Sequence, residues 1–171
     1  ATVVQEEPPS GALTKTAQSV VISSPMQGRA GTLADVPDEA FAGGMMGEGV
    51  AITPSDPIVR APEDGTVSFV FETGHAVGFL TDTGISLLIH VGIDTVKLNG
   101  QGFEVFVEAG QRVKKGSPML KLDLPYLADN APSIVSPIVC TELGKNQNVR
   151  LLKRGKVQFG EALFVVDTME T

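Results

Sequence analysis

Short runs of aliphatic, β-branched and aromatic residues recur along most of the chain, each closed within a few positions by glycine, proline or aspartate. Runs of this length and composition read as strands, here at 19–23, 49–53, 65–71, 76–81, 85–91, 118–123, 133–139, 148–152 and 162–167. Turn-forming clusters such as SDP, PEDG, TDTG, LNGQG, EAGQ and KKG separate them. The spacing predicts an all-β sandwich or barrel. Helix has room only at DEAFA (38–42), directly after Pro37, and at LPYLADNA (124–131), where Pro125 suits a first turn. Residues 1–17 carry no periodic apolar face, so a flexible tail or linker is expected ahead of one domain spanning 18–171. Ser24-Pro25-x-x-Gly28 and Ala61-Pro62-x-x-Gly65 echo each other, and Ser136-Pro137 repeats half of the pattern, which suggests an internal duplication.

The composition fits that outline. A chain of 171 residues with 42% hydrophobic and 19% charged positions is long and apolar enough to bury one substantial core. Apolar stretches are broken well before the ~20 residues a membrane-spanning helix requires, and no basic-plus-apolar leader opens the sequence. The expectation is a cytoplasmic protein. The lone Cys140 excludes an intrachain disulfide and any cysteine-rich zinc site; within SPIVC it reads as a small buried hydrophobe. A formal charge of −7 argues against a nucleic-acid backbone as ligand and for a basic partner. Met45-Met46 fits a core plug and an adaptable surface equally well.

Only two histidines exist, His75 and His90, so imidazole chemistry must involve one or both. His90 interrupts Leu87-Leu88-Ile89-His90-Val91, and in a strand it shares a face with Leu88 and Ser86, opposite Leu87, Ile89 and Val91. Residues 73–81 and 85–91 read as a hairpin. A two-residue loop at Asp82-Thr83 places His75 directly opposite His90, with Cβ atoms about 4.5–5.5 Å apart. A three-residue loop with Gly84 as a bulge shifts the register by one and turns the rings to opposite faces, unless a further bulge at Gly74 or Gly78 restores the pair. Two adjacent imidazoles suit either a metal site lacking partners or a phosphoryl relay. In a relay one neutral ring attacks phosphorus while the other donates a hydrogen bond to the phosphate. Thr73 is placed to orient His75, and the carbonyl of Gly92 to orient His90.

The stretch from Gly84 to Val96, which includes His90-Val-Gly92-Ile-Asp94-Thr95, closely resembles the glucose-type enzyme IIA family of the bacterial phosphoenolpyruvate-dependent sugar phosphotransferase system. Thr73-Gly-His75-Ala upstream, VPDEAFA (36–42) and MMGEGVAI (45–52) extend the resemblance, which covers about residues 20–168. It implies a β-sandwich of duplicated hybrid-motif, barrel-sandwich type with short helical turns. It also implies that His90 accepts phosphate on Nε2 from the histidine-containing phosphocarrier protein and passes it to a cysteine of a IIB domain. His75 corresponds to the second active-site histidine and Thr73 to the hydroxyl that supports it. Asp38 and Asp94 correspond to acidic residues beside the site. Phe41, Phe71 and Val96 fall near the apolar docking face, although Phe41 and Phe71 fit the core equally. No cofactor is required; zinc enters only as an ion that His75 and His90 would share with a carboxylate from a partner. A regulatory module whose binding is switched by phosphorylation of His90 is the alternative reading. A biotinyl or lipoyl carrier, suggested by the turn spacing of 107–123, fails for want of an exposed lysine tip.

Overall fold

A computed structural model describes residues 16–170. Fourteen strands and two short helices follow in the order β1 (Thr16–Ser23), β2 (Gly28–Thr32), α1 (Glu39–Ala42), β3 (Glu48–Pro54), β4 (Ile58–Arg60), β5 (Gly65–Val70), β6 (Ala76–Thr81), β7 (Ser86–His90), β8 (Phe103–Val105), β9 (Arg112–Val113), β10 (Pro118–Leu122), α2 (Leu124–Asn130), β11 (Ser136–Cys140), β12 (Gln147–Leu151), β13 (Gly155–Val157) and β14 (Ala162–Met169). Both expected helices are present, each begun by an aspartate whose carboxylate accepts a backbone N–H: Asp38 from Ala40 and Asp123 from Tyr126. The expected tail lies outside the described residues except for Thr16 and Ala17, which already belong to β1.

All strand pairings are antiparallel. An eight-stranded sheet runs β13-β2-β3-β11-β7-β6-β5-β9, and two three-stranded sheets run β1-β14-β12 and β4-β10-β8. Ile22 and Phe164 of one small sheet, Val59 and Leu120 of the other, and Phe79, Ile89 and Ile138 of the large sheet share one buried cluster. The layers therefore pack face to face across a common core, as expected of an all-β sandwich. The echoed sequence motif has a structural counterpart. Gly28 opens β2 and Gly65 opens β5, the second strands from the two ends of the large sheet, and a Cβ at either would collide with a carbonyl, of Thr53 and Leu80 respectively.

Period-two alternation explains why the central strands look almost continuously apolar. Val50 and Ile52 in β3, Val77 and Phe79 in β6, Leu87 and Ile89 in β7, and Ile138 and Cys140 in β11 point into the main core. Their neighbours Ala51, Ala76, Leu88 and Val139 point to the other face, where Leu33, Val36, Phe41 and Ile93 cover them in a second cluster. The chain between β2 and β3 thus acts as a lid on the outer face of the sheet. Its anchor is Phe41, 5% exposed, whose burial contributes roughly 2 kcal/mol. His90 ends β7 on that outer face, two residues beyond Leu88.

The β6–β7 connection takes the three-residue form, not the two-residue one. Thr81 N donates to Ile85 O at 3.0 Å and Gly84 N to Thr81 O at 2.9 Å, with Gly84 at φ 96°. The residue opposite His90 is accordingly Ala76, and the register is unbroken from Ala76 to Leu80, so Gly78 supplies no bulge between these strands. The five short strands β2, β4, β8, β9 and β13 were not foreshadowed by the hydrophobic pattern. Their two to five residues include glycine, arginine, lysine or glutamate, and their edges are set by pairing rather than by propensity.

Candidate functional site

His90 and His75 meet on the outer face of the large sheet despite the shifted register. His75 lies in a bend immediately before β6, after Gly74 at φ 75°, and strand alternation does not apply there. The bend is held by Gly74 N donating to Phe71 O at 2.7 Å and Val91 N donating to His75 O at 2.8 Å. The two imidazoles stand edge to face with centroids 5.0 Å apart. Ala76, fully buried opposite His90, leaves the space above β6 to the rings.

Each ring is fixed through Nδ1. His90 Nδ1 lies 2.9 Å from the carbonyl oxygen of Gly92. A carbonyl only accepts, so Nδ1 carries the proton and the lone pair of the neutral ring is on Nε2. His75 Nδ1 lies 2.6 Å from Thr73 Oγ1; when the hydroxyl donates, the ring proton resides on Nε2. The carbonyl that orients His90 is itself rigid. Gly92 adopts φ 73°, where a side chain would strike Thr95; its N–H donates to Ser136 Oγ at 3.1 Å, and Thr95 Oγ1 donates to Val91 O at 2.6 Å. Thr95 and Ser136 are supports that sequence reasoning passed over. Ser136 was visible only as half of the Ser-Pro echo, and nothing in the local sequence marks it as a neighbour of Gly92.

Aromatic rings complete the site. Phe41 packs against His90 with centroids 5.0 Å apart, and Phe71 meets His75 edge-on at the same distance. Phe41 is buried while Phe71 is 42% exposed, so the first belongs to the outer-face cluster and the second to the surface. Val96, in the turn after His90, is exposed, as are Met45 and Met46, which excludes the core-plug reading of the methionines. Asp38 caps α1. Asp94, at φ 58°, approaches Lys97 at 3.9 Å. Cys140 is buried in β11, its thiol pushed up to about 12 by desolvation.

Burial sets the protonation of the pair. Desolvation and then the neighbouring His90 lower the His75 pKa to about 4. Desolvation also lowers that of His90, opposed by its hydrogen bond to Gly92 and by the charges of Asp38 and Asp94. Both rings are neutral at pH 7. His75 is the covered ring and His90 the more open one, an order that lets His90 meet an incoming group with His75 behind it. Among the described residues, no group of three or more His, Cys, Asp and Glu side chains is placed to hold a metal ion. Two imidazoles alone fall short of the four ligands zinc prefers.

A family model for the phosphoenolpyruvate-dependent sugar phosphotransferase system, EIIA 1, matches residues 20–146, a span that holds every residue of the paired-histidine site. The chain belongs to this family. Its fold is similar to that of a glucose permease IIA from Mycoplasma capricolum, with a TM-score of 0.81 and 36% sequence identity over 86% of this chain and 96% of the other. The EIIA chain is thus a phosphotransfer component of a sugar transport system. No helix among the described residues is long and apolar enough to cross a membrane.

Proposed function

We propose that His90 is the phosphoryl acceptor of this EIIA chain, taking phosphate on Nε2 from the histidine-containing phosphocarrier protein and passing it to a cysteine of a IIB domain. The observation that carries the reading is the hydrogen bond from His90 Nδ1 to Gly92 O, which leaves the Nε2 lone pair facing away from its own backbone. In acceptance, an N–P bond forms at Nε2 as the N–P bond of the donor histidine breaks, and the donor ring departs with that electron pair. In donation, the cysteine thiolate attacks phosphorus and the His90 ring recovers its lone pair. His75 Nε2–H, with Nδ1 held by Thr73, donates to a phosphate oxygen and follows the charge as it moves. Apolar surroundings limit attack by water on the phosphoramidate.

The reaction exchanges one activated phosphoryl bond for another, so positioning rather than driving force is what the site must supply. The formal charge of −7 steers a donor that presents lysine or arginine around its own histidine. This role needs no cofactor and belongs on the cytoplasmic side, free or beside the permease. Incubation with phosphoenolpyruvate, the general phosphotransferase proteins and candidate IIB domains, followed by intact mass, tests it: one phosphoryl group should appear and then be lost to the correct IIB domain. A protein that never gains the group would overturn the reading.

A regulatory role at the same face is favoured by the exposure of Phe69, Phe71, Val96 and Met45. A phosphate carrying about −1.5 to −2 charges at His90 would oppose apolar docking there. Pull-downs with phosphorylated and unphosphorylated protein separate this role from carriage alone.

A further inference from the structure

Strand β5 carries Phe69 to an unusual place. Val67 is fully buried in the main core, and plain alternation would send Phe69 inward beside it. A register shift between Val67 and Phe69 prevents that: Val67 pairs with Phe79, but Phe69 pairs with Gly78 rather than Val77. The extra residue, Ser68, turns Phe69 onto the outer face, the face of Ala76, Leu88 and His90. There the ring lies over Gly78, where a Cβ would overlap the Phe69 ring edge. Gly78 keeps ordinary extended backbone, so its lack of a side chain serves this contact and not its conformation.

The contact continues toward the histidines. Phe69 and Phe71 pack with ring centroids 5.5 Å apart, and Phe71 stands at 85° to His75 with centroids 5.0 Å apart. Phe71 is 42% exposed; its backbone is held by hydrogen bonds to Ala76 O and from Gly74 N, and its ring packs against Phe69 on one side and His75 on the other. Thr73 fixes one nitrogen of His75 but leaves the tilt of the ring to whatever touches its face.

We infer that Gly78 is a positioning residue, whose missing side chain seats Phe69 against β6 so that Phe69 holds Phe71 edge-on to His75. The inference rests on the assignment of His75 as the ring that supports the phosphate. The bulge at Ser68, the bare strand at Gly78 and the two phenylalanines form one mechanical chain that ends at the His75 imidazole.

The test compares the intact chain with Gly78→Ala, Phe69→Ala and the double variant. Its readouts are the His75 ring-proton chemical shifts and the kinetics of phosphoryl transfer to the IIB partner. Gly78→Ala should displace Phe69 and move the His75 resonances. It should lower kcat of onward transfer roughly three- to tenfold, the scale of one aromatic contact, with KM for the partner changed less. Phe69→Ala should move the same resonances, and adding Gly78→Ala to it should do nothing more, because the obstructing ring is gone. Equal effects of Gly78→Ala with and without Phe69, or His75 resonances that neither variant moves, would overturn the inference. Should Gly78→Ala fail to fold by circular dichroism, Phe69→Ala alone decides through the resonances. Absence of transfer in the unmodified chain would count against the role of His75 while leaving the ring coupling readable.

Discussion

The carbonyl oxygen of Gly92 lies 2.9 Å from Nδ1 of His90, two residues before it in the chain. This short backbone loop fixes which nitrogen is basic, because Nδ1 must be the donor and Nε2 the nucleophile. His90→Ala should therefore abolish phosphorylation completely. The fold should persist, since His90 sits at the end of β7 on the outer face and the change removes only its ring contacts with Phe41 and His75 and its hydrogen bond to Gly92 O. Intact mass after incubation with the phosphoryl donors checks the first point and thermal unfolding the second. Phosphate still present on the variant would move the acceptor elsewhere.

His75→Gln should accept phosphate on His90 yet fail to hand it on. An amide can replace the ring as a hydrogen-bond donor toward phosphate and as an acceptor from the Thr73 hydroxyl, but it cannot adjust its proton as the charge departs. Single-turnover measurements of the two half-reactions distinguish the steps. Transfer to the IIB domain at the unmodified rate would reduce His75 to scaffolding.

The sequence made the site legible by elimination and by alternation. With two histidines in the chain, and with Leu88 and His90 sharing a face away from Leu87 and Ile89, the outer face could be read directly. How the rings meet could not. Loop length decides the register, and Asp-Thr-Gly serves two-residue and three-residue loops alike. The structure takes the longer loop and brings His75 to His90 through the bend after Gly74, outside the strand where counting by twos fails. The edge strand β13 and the Ser136–Gly92 hydrogen bond depend on residues more than a hundred and 44 positions apart, respectively, and no local pattern encodes such pairings.

The lowered histidine pKa values make stability depend on pH with a definite sign. As pH falls below the ~6.5 of an unperturbed histidine, the unfolded chain binds protons that the folded rings, His75 at about 4, still refuse. Stability from the pair is therefore full above pH 6.5 and is lost progressively as pH falls toward 4. For His75 alone a pKa of about 4 corresponds to at most ~3 kcal/mol. Denaturant melts at pH 7 and pH 5 should show a larger loss for the unmodified chain than for His75→Gln. Equal losses would mean that His75 titrates normally in the fold.

Zinc tests the geometry of the pair from a different side. Both Nδ1 atoms are engaged, by Thr73 and by Gly92, so only the two Nε2 atoms could serve as ligands. Two imidazoles are half of a tetrahedral set, and among the described residues no third His, Cys, Asp or Glu joins them as a metal-holding group. The isolated chain should accordingly bind zinc weakly, and affinity should rise only when a protein docked on this face contributes a carboxylate, with water in the fourth position. Phosphorylation of His90 should abolish the effect, because the phosphoryl group occupies the nitrogen the metal would use. Calorimetry on the free chain, on its complexes and on the phosphorylated protein separates these cases. Zinc bound as tightly by the free chain as by a complex, or retained by the His75→Ala, His90→Ala double variant, would mean that the ion uses other ligands and that the two rings are arranged for phosphate alone.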